Sequence, residues 1–241
     1  FAAMRWGQSE RTFGLVIPAV GDVAYVCPKF EEDRALELIK FGKDVRTWEE
    51  DESPYALIVQ IVKDRGVRHR RIGMEERVRF FIADGVRKAA AGMEVVDATP
   101  VTAGCRIYKT PAEIALMQRA NDATIAAYQA AFTTMRDGMS QDELSANIAA
   151  AFRKLGFTGG ASVQVGKWSA LPHGSITPQQ LREGDVVMVD GGTSCEGYAS
   201  DITRTTVFGK ASQRQIDVWN KEKEAQTAAF QAMKLGAPAE N

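Results

Sequence analysis

Asp190 and Asp201 carry the strongest chemical signal in this chain. Asp190 ends an apolar run, Val186 to Val189, and Asp201 opens the polar side of the next extended stretch. Gly191, Gly192 and Gly197 lie between them and supply turn freedom. A turn centred on Cys195 and Glu196 would set the two aspartates opposite each other. Carboxylates so placed repel unless they share a proton or a cation, and hard divalent ions favour oxygen ligands of this kind. Period two along the second strand adds Thr203 and Thr205 to the side of Asp201. The spacing by itself also describes a solvated hairpin with two surface aspartates. A third residue, His173, follows Leu171 and Pro172. A neutral imidazole there can donate to a peptide oxygen or stabilise charge developing on it, although the position also suits a loop histidine bonded to backbone.

The elements that must hold these residues follow from periodicity. Ala161 to Val165, Asp185 to Asp190 and Tyr198 to Phe208 read as strands. Before them, Thr110, Pro111 and Glu113 cap a long helix with Ile114, Met117, Ile125, Tyr128, Phe132 and Met135 on one face. Ser140 and Glu143 open a second helix with Leu144, Ile148, Phe152 and Leu155 buried, ending at Gly156. A last helix starts at Ser212 and Gln215, with Ile216, Trp219, Phe230 and Met233 on one side. Trp168, Trp219 and Phe230 are read as core.

Towards the N-terminus the pattern alternates. Phe13 to Ile17 and Val23 to Cys27 read as a hairpin around Gly21 and Asp22. Helices are expected over Glu31 to Lys40, Pro54 to Asp64 and Glu75 to Ala91, separated by strands near Val45 to Trp48, Arg71 to Met74 and Glu94 to Val96. Thr99 to Gly104 reads as a connector, so the reading divides the chain into residues 1–105 and 106–241. The fold class is α/β with an α+β second part.

With 241 residues, 45% of them apolar and 25% charged, the chain has the composition of one large or two modest globular domains. Thirty Lys and Arg against 31 Asp and Glu leave a net charge of −1, so no global field draws the chain to nucleic acid or an anionic membrane. No apolar run approaches the roughly 18 residues that span a bilayer. Cys27, Cys105 and Cys195 show no paired spacing, which favours a reducing, cytoplasmic setting over a disulfide framework or a Cys-type zinc site. Cys195 falls on the expected turn with no histidine after it, so it is not read as a nucleophile. The basic cluster Arg65, Arg68, His69, Arg70 and Arg71 lacks interleaved aromatics and reads as a solvated loop.

The longer string raises the aspartate signal: Leu171-Pro172-His173-Gly174, then Gly184-Asp185-Val186-Val187-Met188-Val189-Asp190-Gly191-Gly192, then Gly197-Tyr198-Ala199-Ser200-Asp201-Ile202-Thr203-Arg204-Thr205. It resembles the pita-bread metallopeptidases, in particular their Xaa-Pro dipeptidase (prolidase) and Xaa-Pro aminopeptidase branch. Arg106 to Ile114 looks like the start of that family's catalytic domain, and the part before it is similar to the creatinase-type N-terminal domain. The resemblance implies two divalent ions, Mn²⁺ first and Zn²⁺ or Co²⁺ as alternatives. In it Asp190 is a ligand of one ion, Asp201 the bridging carboxylate, and His173 a substrate-side catalytic residue. It implies short proline-containing peptides as substrates and a homodimer as the assembly.

The family adds one histidine and two glutamates that do not follow Asp201 here. The expectation is therefore a fragment holding the first half of the catalytic domain, inactive by itself. The alternatives are an Xaa-Pro aminopeptidase, a non-peptidase hydrolase or lyase of the same fold, and a degenerate binding protein. Both aspartates being present counts against a metal-free creatinase type.

Overall fold

The first β-branched runs pair as a hairpin, with β1 (Gly14–Val16) antiparallel to β2 (Ala24–Pro28). After α1 (Glu32–Leu38), β3 (Asp44–Trp48) joins β2 in parallel, the pairing that a crossover helix permits. The computed structural model describes residues 3, 4, 6, 7, 9–66 and 71–238, which places Arg68, His69 and Arg70 of the basic cluster outside the described residues. Its backbone forms two units, residues 1–108 and 109–241.

The remainder of the first unit runs α2 (Pro54–Asp64), β4 (Arg71–Met74), α3 (Phe80–Ala89), β5 (Glu94–Asp97) and α4 (Thr99–Ile107), with β4 and β5 parallel. Ser53 caps α2 by accepting the Ala56 N–H, and Pro54 sits at its first position, where a missing N–H costs nothing. Two expectations are corrected here. The helix expected from Glu75 begins only at Phe80, because the Glu75 carboxylate accepts the Arg77 N–H and its carbonyl accepts the Val78 N–H, closing a turn first. The expected connector is instead α4. The Asp97 carboxylate accepts both the N–H and the hydroxyl of Thr99, the first helical residue, and Pro100 falls within the first two helical positions, where its missing N–H costs nothing.

The second unit opens with α5 (Pro111–Phe132) and α6 (Gln141–Lys154), each started by a reciprocal capping box, Thr110 with Glu113 and Ser140 with Glu143. Sheet strands follow as β6 (Gly159–Val165), β7 (Val186–Cys195), β8 (Tyr198–Ala199) and β9 (Ile202–Val207), all antiparallel about β7. Val163, Val165, Val187 and Val189 form one sheet face and are buried with Tyr128, Leu144, Ile148 and Phe152. The buried stripe of α5 is Ala120, Ala123, Thr124, Ala127, Tyr128 and Ala131, not the large residues alone, and Ile114 is exposed. Small side chains at this spacing let a helix lie close to the sheet beneath it.

The last helix, α7 (Gln213–Ala232), also forms on a capping box, that of Ser212 and Gln215. Its apolar side corrects the expectation of core. Trp219 is 51% and Phe230 72% exposed, and α7 buries no residue among the described ones. An apolar stripe records that a face favours burial; whether anything covers it is decided by packing. No helix among the described residues is long and apolar enough to cross a membrane.

Candidate active site

The strand carrying Asp190 does not stop there. Gly191 and Gly192 stay in β7, which runs to Cys195, and the turn is made by Glu196 and Gly197, both with positive φ (49° and 89°). That is the geometry of a two-residue hairpin turn with left-handed central residues. The register then pairs Cys195 with Tyr198, and further back Asp190 with Thr203. The expected face-to-face placement of Asp190 and Asp201 is thus corrected: Asp201, two residues before Thr203, lies diagonal to Asp190 on the same side of the hairpin. A turn shifted by one residue moves every cross-strand partner by two. In a regular ladder diagonal neighbours are about 7 to 8 Å apart at Cα, close enough for two carboxylates to take part in one cation site.

Asp190 is half-buried and Asp201 exposed. The Thr203 hydroxyl donates to Asp190 Oδ1 at 2.5 Å, which orients that carboxylate. On the other flank of β7, Ser162 of β6 is the register partner of Asp190, so Ser162, Asp190 and Thr203 form one row across the sheet. Among the described residues neither aspartate enters an ion pair. The neighbouring Arg204 guanidinium donates to the Thr203 carbonyl at 2.8 Å.

Between Ala199 and Ile202 the ladder is broken, which corrects the expected continuous strand from Tyr198 to Phe208. Ser200 explains the break. Its N–H still donates to the Thr193 carbonyl, but the Thr193 N–H goes to the Ser200 hydroxyl rather than to its carbonyl. The Ser200 carbonyl is displaced to where a side chain at residue 192 would begin, and a Cβ on Gly192 would collide with it. Asp201 therefore leaves a kink that Gly192 alone admits. Ser200 is further held by Thr124 of α5, whose hydroxyl lies 2.8 Å from its own, and Tyr128 donates to the Ile202 carbonyl at 3.0 Å. Tyr128 is buried, and burial first, then the charges of Asp190 and Asp201, push its phenol up to about 12. Both carboxylates thus act electrostatically on one residue. The tip of the hairpin is tied down separately: the Tyr198 hydroxyl donates to Glu113 at 2.7 Å, which raises the phenol and helps hold the Glu113 carboxyl below its usual range, behind the larger effect of the Thr110 N–H.

His173 is exposed on the loop after β6. That loop is anchored by two buried amides. Gln164 of β6, which shares a sheet face with Ser162, accepts the Ser175 N–H at 2.9 Å and the Gln179 side-chain N–H at 2.8 Å. Gln179 in turn accepts the Val165 N–H at 2.6 Å. Gly174 has a φ of 68°, and a Cβ there would strike the Gln164 amide. The loop bearing His173 is therefore fixed to the strand next to Asp190. Sequence reasoning did not single out Thr124, Ser200, Gln164 or Gln179. The available signal was polar residues placed where a helix stripe or a strand should be apolar.

The sequence pattern of metallopeptidase family M24 matches residues 115–241, more than half of the chain, and that of the creatinase/prolidase N-terminal domain matches residues 5–108. The chain belongs to metallopeptidase family M24. Its relatives in this family include an uncharacterized peptidase of Schizosaccharomyces pombe, 36% identical over 247 residues, covering 95% of this chain and 52% of that protein. Among solved structures, recombinant prolidase from Thermococcus sibiricus superposes with a TM-score of 0.83 at 26% identity, covering 98% of this chain and 65% of that one. Dipeptidase PepE from Mycobacterium ulcerans does so with a TM-score of 0.83 at 27% identity, covering 94% and 61%. The chain thus spans between about half and two thirds of the length of these M24 relatives. The expected fold class, a creatinase-type N-terminal domain followed by part of a pita-bread domain, is the one observed.

Proposed function

We propose that the full-length protein hydrolyses Xaa-Pro dipeptides with the help of two divalent metal ions, Mn²⁺ foremost, and that Asp190 and Asp201 supply part of their coordination. The observation that carries this reading is the pair of aspartates on one side of a hairpin, in no ion pair among the described residues, with Asp190 oriented by a neutral hydrogen bond from Thr203. The donor set fits a hard divalent ion in type, since it consists of carboxylate and hydroxyl oxygens. It fits only in part in number, because no group of three or more His, Cys, Asp or Glu gathers among the described residues. The reading therefore requires further ligands besides these two aspartates.

When bound, the ions polarise the scissile carbonyl and activate water as the nucleophile. This chain's own residues set up that chemistry. Thr203 orients Asp190, and the Ser200 kink presents Asp201. His173 donates to the carbonyl oxygen as negative charge develops on it, from a loop whose backbone is pinned by Gln164. The leaving prolyl nitrogen needs a proton donor, and the acids after Asp201 in this chain lie on or past α7. Proline selectivity and dipeptide length are supported by the likeness to the Thermococcus sibiricus prolidase. We also assign residues 1–105 to dimer assembly and cleft closure and 106–241 to catalysis, to be checked by light scattering on the full-length protein, where a monomer refutes the dimer.

The test is an assay of the metal-loaded full-length enzyme on Ala-Pro, Ala-Ala and Ala-Pro-Ala. Ala-Pro is expected to be the best substrate. Equal rates on Ala-Ala remove the proline claim, preference for Ala-Pro-Ala makes the enzyme an aminopeptidase, and silence on all three refutes the peptidase reading. Asp190→Ala and Asp201→Ala should each lower kcat by about 10³-fold or more, matching the loss of several kcal/mol of metal-derived stabilisation, and should lower Mn²⁺ stoichiometry in titration.

A further inference from the structure

Thr124 and Tyr128 stand one turn apart on the buried face of α5, and each bonds to a residue adjoining Asp201. The Thr124 hydroxyl is 2.8 Å from that of Ser200, just before Asp201. The Tyr128 hydroxyl reaches the carbonyl of Ile202, just after it, at 3.0 Å. We propose that this i, i+4 pair is a two-point clamp that positions the Asp201 carboxylate for a cation, making Thr124 and Tyr128 positioning residues of the site. The inference rests on the metal reading above and extends it to how one ligand is held.

The need for a clamp is local. Asp201 is exposed, and its carboxylate has no hydrogen bond among the described residues, so its position is only as definite as its backbone. That backbone lies in the gap between β8 and β9, where the Ser200 hydroxyl replaces a carbonyl in the ladder. Asp201 belongs to neither β8 nor β9, so strand pairing does not fix it directly.

The geometry of the clamp matches the gap. Four residues of helix rise about 6 Å, and two residues of strand advance about 6.7 Å, so hydroxyls one turn apart on α5 reach the two residues that bracket Asp201. The alanine stripe of α5, with Ala120, Ala123 and Ala127 buried around them, brings the helix near enough for both bonds. Thr124 is itself fixed, because its hydroxyl also donates to the Ala120 carbonyl at 2.9 Å. Neutral hydroxyls restrain the chain without neutralising the carboxylate, as an arginine would. Tyr128 stays protonated throughout the neutral range, so it remains a donor there.

The experiment is Mn²⁺ titration calorimetry on the full-length protein and its Thr124→Val, Thr124→Ser and Tyr128→Phe variants. Thermal melting checks the fold, and hydrogen exchange of the Ser200 amide is measured in the metal-free state. Thr124→Val and Tyr128→Phe should each weaken Mn²⁺ binding about tenfold, the usual lower bound for losing a residue that orients a ligand. Thr124→Ser, which keeps the hydroxyl, should bind as wild type, and the Ser200 amide should exchange faster in Thr124→Val alone of the two threonine variants. A variant that only loses stability lowers the melting point and leaves affinity unchanged; that result, with Asp201→Ala losing binding, overturns the clamp. If the wild type takes up no divalent ion, the metal reading fails and the exchange data decide: unchanged Ser200 exchange in Thr124→Val overturns the clamp too, and faster exchange retains it as a restraint on the Asp201 backbone.

Discussion

In the N-terminal unit Asp44 and Asp64 are held by arginines, and in the C-terminal unit Asp190 and the backbone around Asp201 are held by hydroxyls. Asp44 accepts two bonds from Arg46 at 3.1 Å and one from Arg65 at 2.6 Å, and Arg46 reaches on to Asp64 at 2.5 Å. Asp190 takes a bond from Thr203, and Asp201 is bracketed by Ser200 and Ile202, which Thr124 and Tyr128 bind. The first arrangement neutralises charge and joins the start of β3 to the end of α2. The second restrains position and leaves charge available. Ion pairing between Asp44 and its arginines compensates charge within the fold, whereas the neutral hydrogen bond to Asp190 leaves its charge uncompensated, as the proposed cation site requires.

Removing His173 should separate chemistry from scaffold most sharply. His173→Ala is expected to lower kcat by about 10²-fold with Mn²⁺ affinity and melting temperature unchanged, in steady-state assays of the full-length enzyme. A change confined to KM assigns His173 to substrate binding.

The hydroxyl-held region is next. Gly192→Ala places a Cβ against the Ser200 carbonyl, whereas Gly160, its register partner on β6, has open space at that position. Gly192→Ala should cost about 1 to 3 kcal/mol by overpacking and weaken Mn²⁺ binding, while Gly160→Ala leaves binding intact. Equal effects of the two on titration calorimetry refute the view that the kink presents Asp201.

The arginine-held region should give the reverse pattern. Asp44→Ala leaves Arg46 and Arg65 without their shared partner, and about 1 kcal/mol of stability should be lost in urea unfolding, a small value because the pair is partly solvated. Metal affinity should not move.

The smallest effects are pH dependences of opposite sign. Arg46 foremost holds the Asp44 carboxyl below the usual range, against an opposing effect of burial, so its contribution is present above the unfolded pKa and lost as pH falls through the lower folded one. Tyr128 is raised from 10.0 to about 12, so its contribution is present below pH 10 and lost as pH rises towards 12. Asp44→Ala should flatten the acid limb of a stability profile and Tyr128→Phe the alkaline limb. Either variant flattening both limbs would show that the two regions do not titrate separately.

Local rules were sufficient at most helix ends, although they missed the Glu75 turn and the Asp97 bonds to Thr99, which are themselves local. The capping boxes at Thr110, Ser140 and Ser212, the Ser53 start of α2, and the Gly156 stop of α6 all satisfy a helix end from within a few residues. The apolar period of β6 and β7 likewise identifies the buried sheet face. The other misses were settled across the chain. The turn lies at Glu196 and Gly197, one residue from the centre at Cys195 and Glu196 that would set the aspartates face to face, because the whole ladder from Val186 to Cys195 shares one register, and that offset turns a facing pair into a diagonal one. Thr124 reads as an ordinary helix residue until Ser200, far along the chain, is packed against it. Trp219 and Phe230 read as core until α7 is seen to bury none of its own residues among the described ones. Sequence by itself determined most of the elements and which residue types can do chemistry, because caps, turns and periodicity act over a few residues. Only the tertiary structure decided which strand residues share a side, which polar groups hold them there, and which apolar faces find cover, because each depends on contacts between segments that no local preference encodes.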